Sequence, residues 1–307
     1  LMYDPQKTNE ITGDLAHSWE VSKDGMEFIF HLNHANWHDG EPVTADDIIF
    51  SLDRMAQEGV TRGRVTAIRD FYAPGTGEAI DEHTVRMPLK AKSSTALGWL
   101  AVDYFKMYPE HVVSTKSQDE LNCCYENNVG SGAWKFKDWK KGDSWEFERN
   151  DDYFKDPMPF FDGKKVYVIE DAARRLASLT TQQVMGWLVM GGTTLKDMMQ
   201  VQRDSGGVMR AYKSGPGGMR GFWMHINKPP FDDVRVRRAV YLATDRQGVM
   251  AISYDGEGFP GNYFPVGYAH TEEEILQMPG WRQPKDEDIA RAKELMAEAG
   301  YPDGFKA

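Results

Sequence analysis

Alternating apolar and polar positions predict two β-hairpins. In residues 17–32, apolar side chains occupy alternate positions on both sides of the turn residues Lys23-Asp24-Gly25. The pattern recurs in residues 133–139 and 144–150, where aromatic side chains alternate on both sides of a Lys-Lys-Gly-Asp turn. Aromatic residues opposite one another stabilise antiparallel pairs, and glycine permits tight turns. We therefore expect two aromatic-rich antiparallel hairpins.

Helical spacing predicts three further elements. Thr44 is a candidate N-cap, and Asp46 and Asp47 follow it in the first turn, where negative charge suits the helix dipole. Apolar residues then recur at helical spacing, so one face of this helix should be core. Asp232 is expected to cap a second helix, and a third should span 286–299 before a stop at glycine.

Three more segments have the composition of strands: 79–89, 166–170 and 218–227. The last one places bulky side chains on both faces, directly before Pro229-Pro230. This suits a strand at a crossing between two lobes, where one face lines a cleft. Strands and helices mix without the regular βαβ rhythm of a Rossmann sheet, which favours a mixed α/β fold of the α+β kind.

Charge and composition narrow the function. The 307 residues carry a net charge of −11, which argues against nucleic acid because phosphate binding needs clustered positive charge. No stretch approaches the ~20 apolar residues of a membrane span. No charged-then-apolar signal segment starts the sequence, so we expect any export signal to lie outside it. The only cysteines, Cys123 and Cys124, are adjacent, which suits neither a disulfide nor a metal site.

Residues 37–55 raise the question of catalysis. His38 and Asp39 could be an acid/base pair, although turn chemistry accounts for Asp39 through local backbone bonding. His31, His34 and His38 form an H-x2-H-x3-H pattern, and imidazole binds zinc, nickel or copper. Strand alternation and loop placement do not force these three histidines together, so no metal or other cofactor is expected.

Five segments, in this order, each resemble a successive segment of one family: LAHSWEVSKDG (15–25), WHDGEPVTADDIIFSLDR (37–54), NNVGSGAWKFKDWKKGD with ERNDDYF (127–154), NKPPFDDVRVRRAVYLATDR (227–246) and LMAEAGYPDGF (295–305). The family is the family 5 extracellular solute-binding proteins, of the dipeptide, oligopeptide and nickel type, which feed ABC importers. The resemblance runs from about Leu1 to the end.

The resemblance implies a periplasmic-binding-protein-like clamp whose two lobes close over a ligand. By this mapping, residues 1–130 are mostly an inserted subdomain of the first lobe, and 131–226 form the main part of that lobe. Residues 227–307 then contain the hinge, at 227–233, and the start of an incomplete second lobe, because family members are longer at both ends.

The function implied is passive capture of a peptide or similar small solute, without reaction. The protein would be a monomer, periplasmic or lipid-anchored outside the cell, without direct membrane insertion, and the importer's membrane subunits would be its partners. The expected ligand-binding residues are Gly132, Ala133, Trp134, Met219, Phe222 and Trp223, with core packing as the alternative for Trp134 and Phe222.

Two departures from the family pattern leave the ligand class open. Residues 131–134 read Ser-Gly-Ala-Trp where a Thr-Gly-Pro-Tyr-like turn is usual, and residues 189–197 lack the usual acidic residue. The alternatives are a hydrolase that uses His38 and Asp39 or another carboxylate pair, and a nickel or haem carrier of the same family.

Overall fold

The alternation of Phe28, Phe30 and Leu32 is the clearest link between sequence and fold, because all three side chains are buried on one face of a strand. The computed structural model describes residues 1–4, 10–59, 65–102, 104–123, 128–186, 194–212, 221–254, 256 and 270–306. The chain divides into two units, Leu1–Val168 and Ile169–Ala307. The predicted lobe limits at residues 130 and 226 stay predictions.

The first unit contains a four-stranded antiparallel sheet in the order β3-β4-β6-β5. Its strands are β3 (Ala16–Val21), β4 (Glu27–Leu32), β5 (Glu78–Asp81) and β6 (Thr84–Pro88). A separate two-stranded sheet precedes it in the chain and consists of β1 (Met2–Tyr3) and β2 (Ile11–Thr12). β3 and β4 form the first predicted hairpin, with Gly25 at a φ of 69° in its turn. That prediction is confirmed.

The prediction of a single strand over 79–89 is wrong in detail, because the structure has two strands joined by a turn there. β5 and β6 pair antiparallel. The Asp81 carboxylate accepts a hydrogen bond from the His83 N–H at 2.8 Å, and this local bond turns the chain between the two strands.

Five helices complete the described part of the first unit: α1 (Ala45–Ala56), α2 (Val65–Phe71), α3 (Ala96–Ala101), α4 (Glu110–Val113) and α5 (Gln118–Cys123). α1 begins after Thr44, as predicted, and buries Ile48, Leu52 and Met55. These side chains join one core with the buried residues of the four-stranded sheet and of α2 and α3. Burial of each large apolar side chain stabilises the fold by roughly 1.5–3 kcal/mol.

A second, three-stranded antiparallel sheet lies in the same unit. Its strands are β7 (Trp134–Lys140), β8 (Ser144–Arg149) and β9 (Gly163–Tyr167). β7 and β8 form the second predicted hairpin, and the rings of Phe136 and Phe147 meet edge to face with centroids 6.1 Å apart. β9 begins three residues before the strand predicted at 166–170.

The described part of the second unit is helical. Its elements are α6 (Ala172–Thr180), α7 (Leu195–Asp204), α8 (Val234–Ala243), α9 (Arg246–Tyr254), α10 (Glu272–Gln277) and α11 (Asp286–Glu298). α8 packs on α11 through a small cluster of Ala239, Ala292 and Leu295. The N-cap of α8 is Asp233 and not Asp232, because the Asp233 side chain accepts from the Arg235 N–H.

The structure has no strand in the described part of the segment 218–227, where a strand was predicted. Residues 221–226 pair with no strand, and 218–220 lie outside the described residues. Asn227–Asp233, the predicted hinge, forms turns before α8. Among the helices of the described ranges, none is long and apolar enough to cross a membrane.

Candidate ligand-binding site

A tight turn over residues 37–40 carries His38 and Asp39 in the first unit. The Trp37 N–H donates to the Glu41 carbonyl at 2.7 Å, and the Gly40 N–H donates to the Trp37 carbonyl at 2.9 Å. Gly40 has a φ of 100°, a conformation that favours glycine. The turn therefore fixes the backbone of His38 between two hydrogen-bonded neighbours.

Asp47 anchors this turn to α1 and α4. Its carboxylate accepts hydrogen bonds from the Trp37 indole N–H at 3.1 Å, from the Thr44 N–H at 3.0 Å and from the Glu110 N–H at 2.8 Å. Only 5% of Asp47 is exposed. A buried carboxylate is tolerated when donors satisfy its oxygens, so Asp47 has a structural role.

The His38 side chain binds the backbone of the segment that precedes β7. Its Nε2 lies 2.9 Å from the Gly132 carbonyl oxygen, and its Nδ1 lies 3.3 Å from the Gly130 nitrogen. The His38 backbone N–H also donates to the Gly130 carbonyl at 2.7 Å. We call residues Gly130–Ala133 the glycine segment.

These contacts set the tautomer of His38. The Gly130 N–H is a donor, so Nδ1 must be the unprotonated acceptor and Nε2 carries the hydrogen that it donates to Gly132. Burial lowers the pKa of His38 below its usual value, against the effect of the bond to Gly132, and nearby Lys135 lowers it further. The imidazole is therefore held neutral.

Asn150 holds the glycine segment from the other side. Its Nδ2 donates to the Gly132 carbonyl at 3.0 Å, and its backbone N–H donates to the Ala133 carbonyl at 3.1 Å. Asn150 is 2% exposed. Within the described residues, five hydrogen bonds thus join the glycine segment to His38 and Asn150.

The first three predicted ligand-binding residues lie at this position. Gly132 is exposed, and a Cβ built on it would meet no atom within 4 Å. Ala133 and Trp134 are half-buried. The Lys164 ammonium lies 5.5 Å from the centroid of the Trp134 ring. A small molecule can therefore approach Gly132 closely.

The other three predicted residues belong to the second unit. Phe222 is 71% exposed and Trp223 is 98% exposed, so the alternative of core packing for Phe222 is wrong. Both rings are therefore available for contact with a ligand, although single exposed apolar side chains are common on protein surfaces. Met219 lies outside the described residues, as do 189–193 of the segment that departs from the family pattern.

Asp39 is engaged in a pair that does not involve the His38 ring. Its Oδ2 lies 2.8 Å from the Nε2 of His111 on α4. Burial acts against ionisation, but the hydrogen bonds from His111 and from the Glu41 N–H hold the pKa of Asp39 below its usual value. Because both ring nitrogens of His38 bind backbone, the hypothesis of a His38–Asp39 catalytic pair finds no support here.

The histidine pattern does not assemble a metal centre. His31 pairs with Glu20 at 3.1 Å, the His34 ring lies 4.2 Å from the His83 ring, and His38 binds the glycine segment. Across the described ranges, no group of three or more His, Cys, Asp or Glu side chains could hold a metal ion. Cys123 ends α5, and Cys124 lies outside the described residues.

Sequence reasoning missed two residues of this arrangement. Asn150 follows β8 in an Asn-Asp-Asp run that carries no spacing signal for a contact with Gly132. The sequence indicates His38 as a candidate catalyst or metal ligand, whereas in the structure its ring supports the backbone of Gly130 and Gly132. Its position directly before an Asp-Gly turn indicates only an ordered backbone at His38, which the turn's hydrogen bonds confirm.

Comparison with known proteins gives the family. Residues 10–307 match the profile described as "Bacterial extracellular solute-binding proteins, family 5 Middle". Over 97% of its length, the chain is 28% identical to heme-binding protein A of Haemophilus influenzae and 26% identical to the dipeptide-binding protein of Escherichia coli. It covers 55% and 56% of these relatives, so it spans about half their length.

Solved structures agree on the fold. The chain superposes on OppA of Haemophilus influenzae, solved in complex with RPPGFSPFR, with a TM-score of 0.80 at 23% identity, over 97% of this chain and 60% of OppA. The predicted mixed α/β, periplasmic-binding-protein-like fold is confirmed. These relatives are binding proteins and not enzymes. The chain belongs to the bacterial extracellular solute-binding proteins of family 5.

Proposed function

We propose that this protein is the substrate-binding component of an ABC importer and that it captures a peptide or a similar small solute. Family membership over residues 10–307 is the observation that carries this proposal. The dipeptide-binding protein of Escherichia coli and OppA bound to a nonapeptide favour a peptide over other solutes.

Capture operates by hinge closure with differential affinity. A ligand that binds the closed form more tightly than the open form shifts the population toward closure. Residues 227–233 are the proposed hinge between the lobe formed by residues 1–226 and the lobe that begins after it. The membrane subunits of the importer then recognise the closed form, and the solute is released unchanged.

The proposed ligand-contacting residues are Gly132, Ala133, Trp134, Met219, Phe222 and Trp223. Extended peptides are bound through main-chain hydrogen bonds, and side-chain pockets add selectivity. The open space over Gly132 supports close approach to the backbone. The exposure of Phe222 and Trp223 supports a role of these rings as apolar contacts.

The family description as extracellular supports a location outside the cytoplasm. We propose that the protein acts as a monomer in the periplasm or, lipid-anchored, outside the cell. The net charge of −11 argues against a nucleic-acid partner.

Haem is the second candidate ligand, because the chain shares 28% identity with heme-binding protein A. Haem and peptide are readily distinguished. Bound haem gives an intense visible absorption band, whereas a bound peptide gives none.

Native mass spectrometry of the protein, purified at its natural length without refolding, tests the proposal. We expect a mass excess that corresponds to a co-purified peptide and disappears after partial unfolding. Titration of the emptied protein with RPPGFSPFR, an Ala-Ala dipeptide and haem, followed by calorimetry, then ranks the ligand classes. Turnover of any of these compounds, or binding of none of them, would contradict the proposal.

A further inference from the structure

We infer that the neutral imidazole of His38 is a positioning residue for the proposed ligand-binding segment: it fixes the backbone of Gly130 and Gly132, and ligand binding weakens when the ring takes up a second proton. This inference deepens the proposed function and rests on it for the binding consequence. The effect on the backbone stands on the contacts alone.

The geometry requires a ring with a nitrogen on each side. Nδ1 accepts from the Gly130 N–H at 3.3 Å, and Nε2 donates to the Gly132 carbonyl at 2.9 Å. The ring therefore bridges a donor and an acceptor two residues apart in the chain. A Cβ on Gly130 would lie 3.4 Å from Cε1 of His38, so the ring also packs closely on this backbone.

Protonation changes only one of these two contacts directly. A second proton converts Nδ1 from an acceptor into a donor, and a donor cannot bind the Gly130 N–H. The bond from Nε2 to Gly132 persists and gains strength from the positive charge. The structural change therefore begins at Gly130, two residues before Gly132 in the chain.

Burial is the largest of the influences that oppose the second proton. Burial and Lys135 on β7 lower the pKa of His38, whereas Asp39 raises it. Asp39 itself is bonded to His111 of α4, so this neighbouring imidazole faces Asp39 and not the His38 ring. Above about 6.5, the unfolded value, His38 is neutral in both states and the contact is fully present. It is lost as the pH falls through the lower folded pKa.

Amide hydrogen exchange tests the backbone effect without any ligand. In the wild-type protein we expect the Gly130 amide, corrected for intrinsic rates, to lose about tenfold of its protection as the pH falls from 7.5 through the pH at which the His38 ring protonates, which NMR of the ring measures directly. The His38→Asn variant places a carbonyl oxygen near the position of Nδ1 and does not titrate, so Gly130 protection should not change with pH. The Gly130 amide of the His38→Ala variant should be unprotected over the whole pH range.

Calorimetric titration with RPPGFSPFR tests the consequence for binding. We expect wild-type affinity to fall at least about fivefold between pH 7.5 and a pH below the measured protonation of the His38 ring, and the affinity of His38→Asn to change less than about twofold. His31→Gln is the matched control, because His31 is half-buried in the same unit and pairs with Glu20 at 3.1 Å. This control should keep the wild-type pH profile in both measurements.

The outcomes separate the two proposals. Unchanged Gly130 protection in the wild-type protein across the measured protonation of the His38 ring overturns the role of His38, as does a wild-type profile in His38→Ala. A pH-dependent Gly130 amide without any binding of the nonapeptide supports the positioning role and counts against peptide capture. If His38→Ala does not fold, the wild-type protein and His38→Asn decide the question.

Discussion

The glycine segment and residues 221–223 both supply proposed ligand contacts, yet they are held very differently. Five hydrogen bonds among described residues fix Gly130–Ala133 to His38 and Asn150. In contrast, Phe222 and Trp223 project 71% and 98% of their surfaces into solvent. A preorganised segment loses little entropy when a ligand binds, whereas exposed rings gain contacts only through binding. The first segment should therefore influence stability and binding together, and the second only binding.

The largest loss of stability is expected from Asp47→Ala, which weakens the turn that carries His38. Asp47→Ala leaves the Trp37 indole, Thr44 and Glu110 donors without their carboxylate. We expect a loss of about 2–4 kcal/mol in unfolding free energy. Urea denaturation followed by circular dichroism measures it.

Asp46→Ala is the control for that change. Asp46 lies in the same first turn of α1 but is exposed. Its removal should cost at most about 1 kcal/mol through the helix dipole. Equal losses for Asp46→Ala and Asp47→Ala would show that Asp47 does not act through its buried hydrogen bonds.

Asn150→Ala should loosen the glycine segment from the side opposite His38. It removes the bond to the Gly132 carbonyl and the acceptor for the Asp152 N–H. We expect a loss of about 1–2 kcal/mol in stability and a several-fold weaker affinity for peptide. Asn128→Ala, at an exposed position before the segment, should change neither quantity. A stability loss without any loss of affinity would separate the segment from the ligand.

Trp223→Ala tests the exposed residues, which are expected to affect ligand binding but not stability. The exposed ring has little folded-state packing to lose, so the unfolding free energy should change by less than about 0.5 kcal/mol. Peptide affinity should fall about tenfold, or about 1.4 kcal/mol. Tyr212→Ala is the control, since Tyr212 is 83% exposed in the same unit and is not a proposed contact. Calorimetry on both variants decides whether exposure alone produces the effect.

The smallest expected effect concerns Gly132. A Cβ there meets open space, so Gly132→Ala should leave stability unchanged or raise it by up to about 1 kcal/mol. If a ligand lies against this backbone, affinity should fall a few-fold. Gly142→Ala provides the opposite profile, because Gly142 has a φ of 76° and its substitution is strained without touching the site. Unaltered peptide affinity in Gly132→Ala would place the ligand elsewhere.

The predictable part of the fold is the part encoded over a few residues. The two hairpins and α1 follow from apolar spacing and from local turn and cap chemistry, and the structure confirms them. α11 was predicted equally well because Gly300, at a φ of 88°, ends it. The segment 79–89 failed in one respect: a single Asp81 side-chain bond to the His83 N–H splits it into a hairpin.

The unpredictable part depends on contacts between distant residues. The pattern of residues 218–227 suits a strand, but a strand needs a pairing partner, and the described residues 221–226 have none. The role of His38 could not be predicted either, since neither Gly130 nor Gly132 is near it in the chain. Local turn chemistry accounts for the backbone around His38, whereas only the tertiary fold brings the Gly132 carbonyl within reach of its ring.

The His38 ring and the Gly132 carbonyl are 94 residues apart in sequence. Closing a loop of that length has an entropic cost, which grows only slowly with the number of residues in the loop. During synthesis, His38 and the whole of α1 leave the ribosome long before their partner does. The contact can therefore form only once the chain has been synthesised through Gly132, and until then the neutral imidazole has no backbone acceptor there.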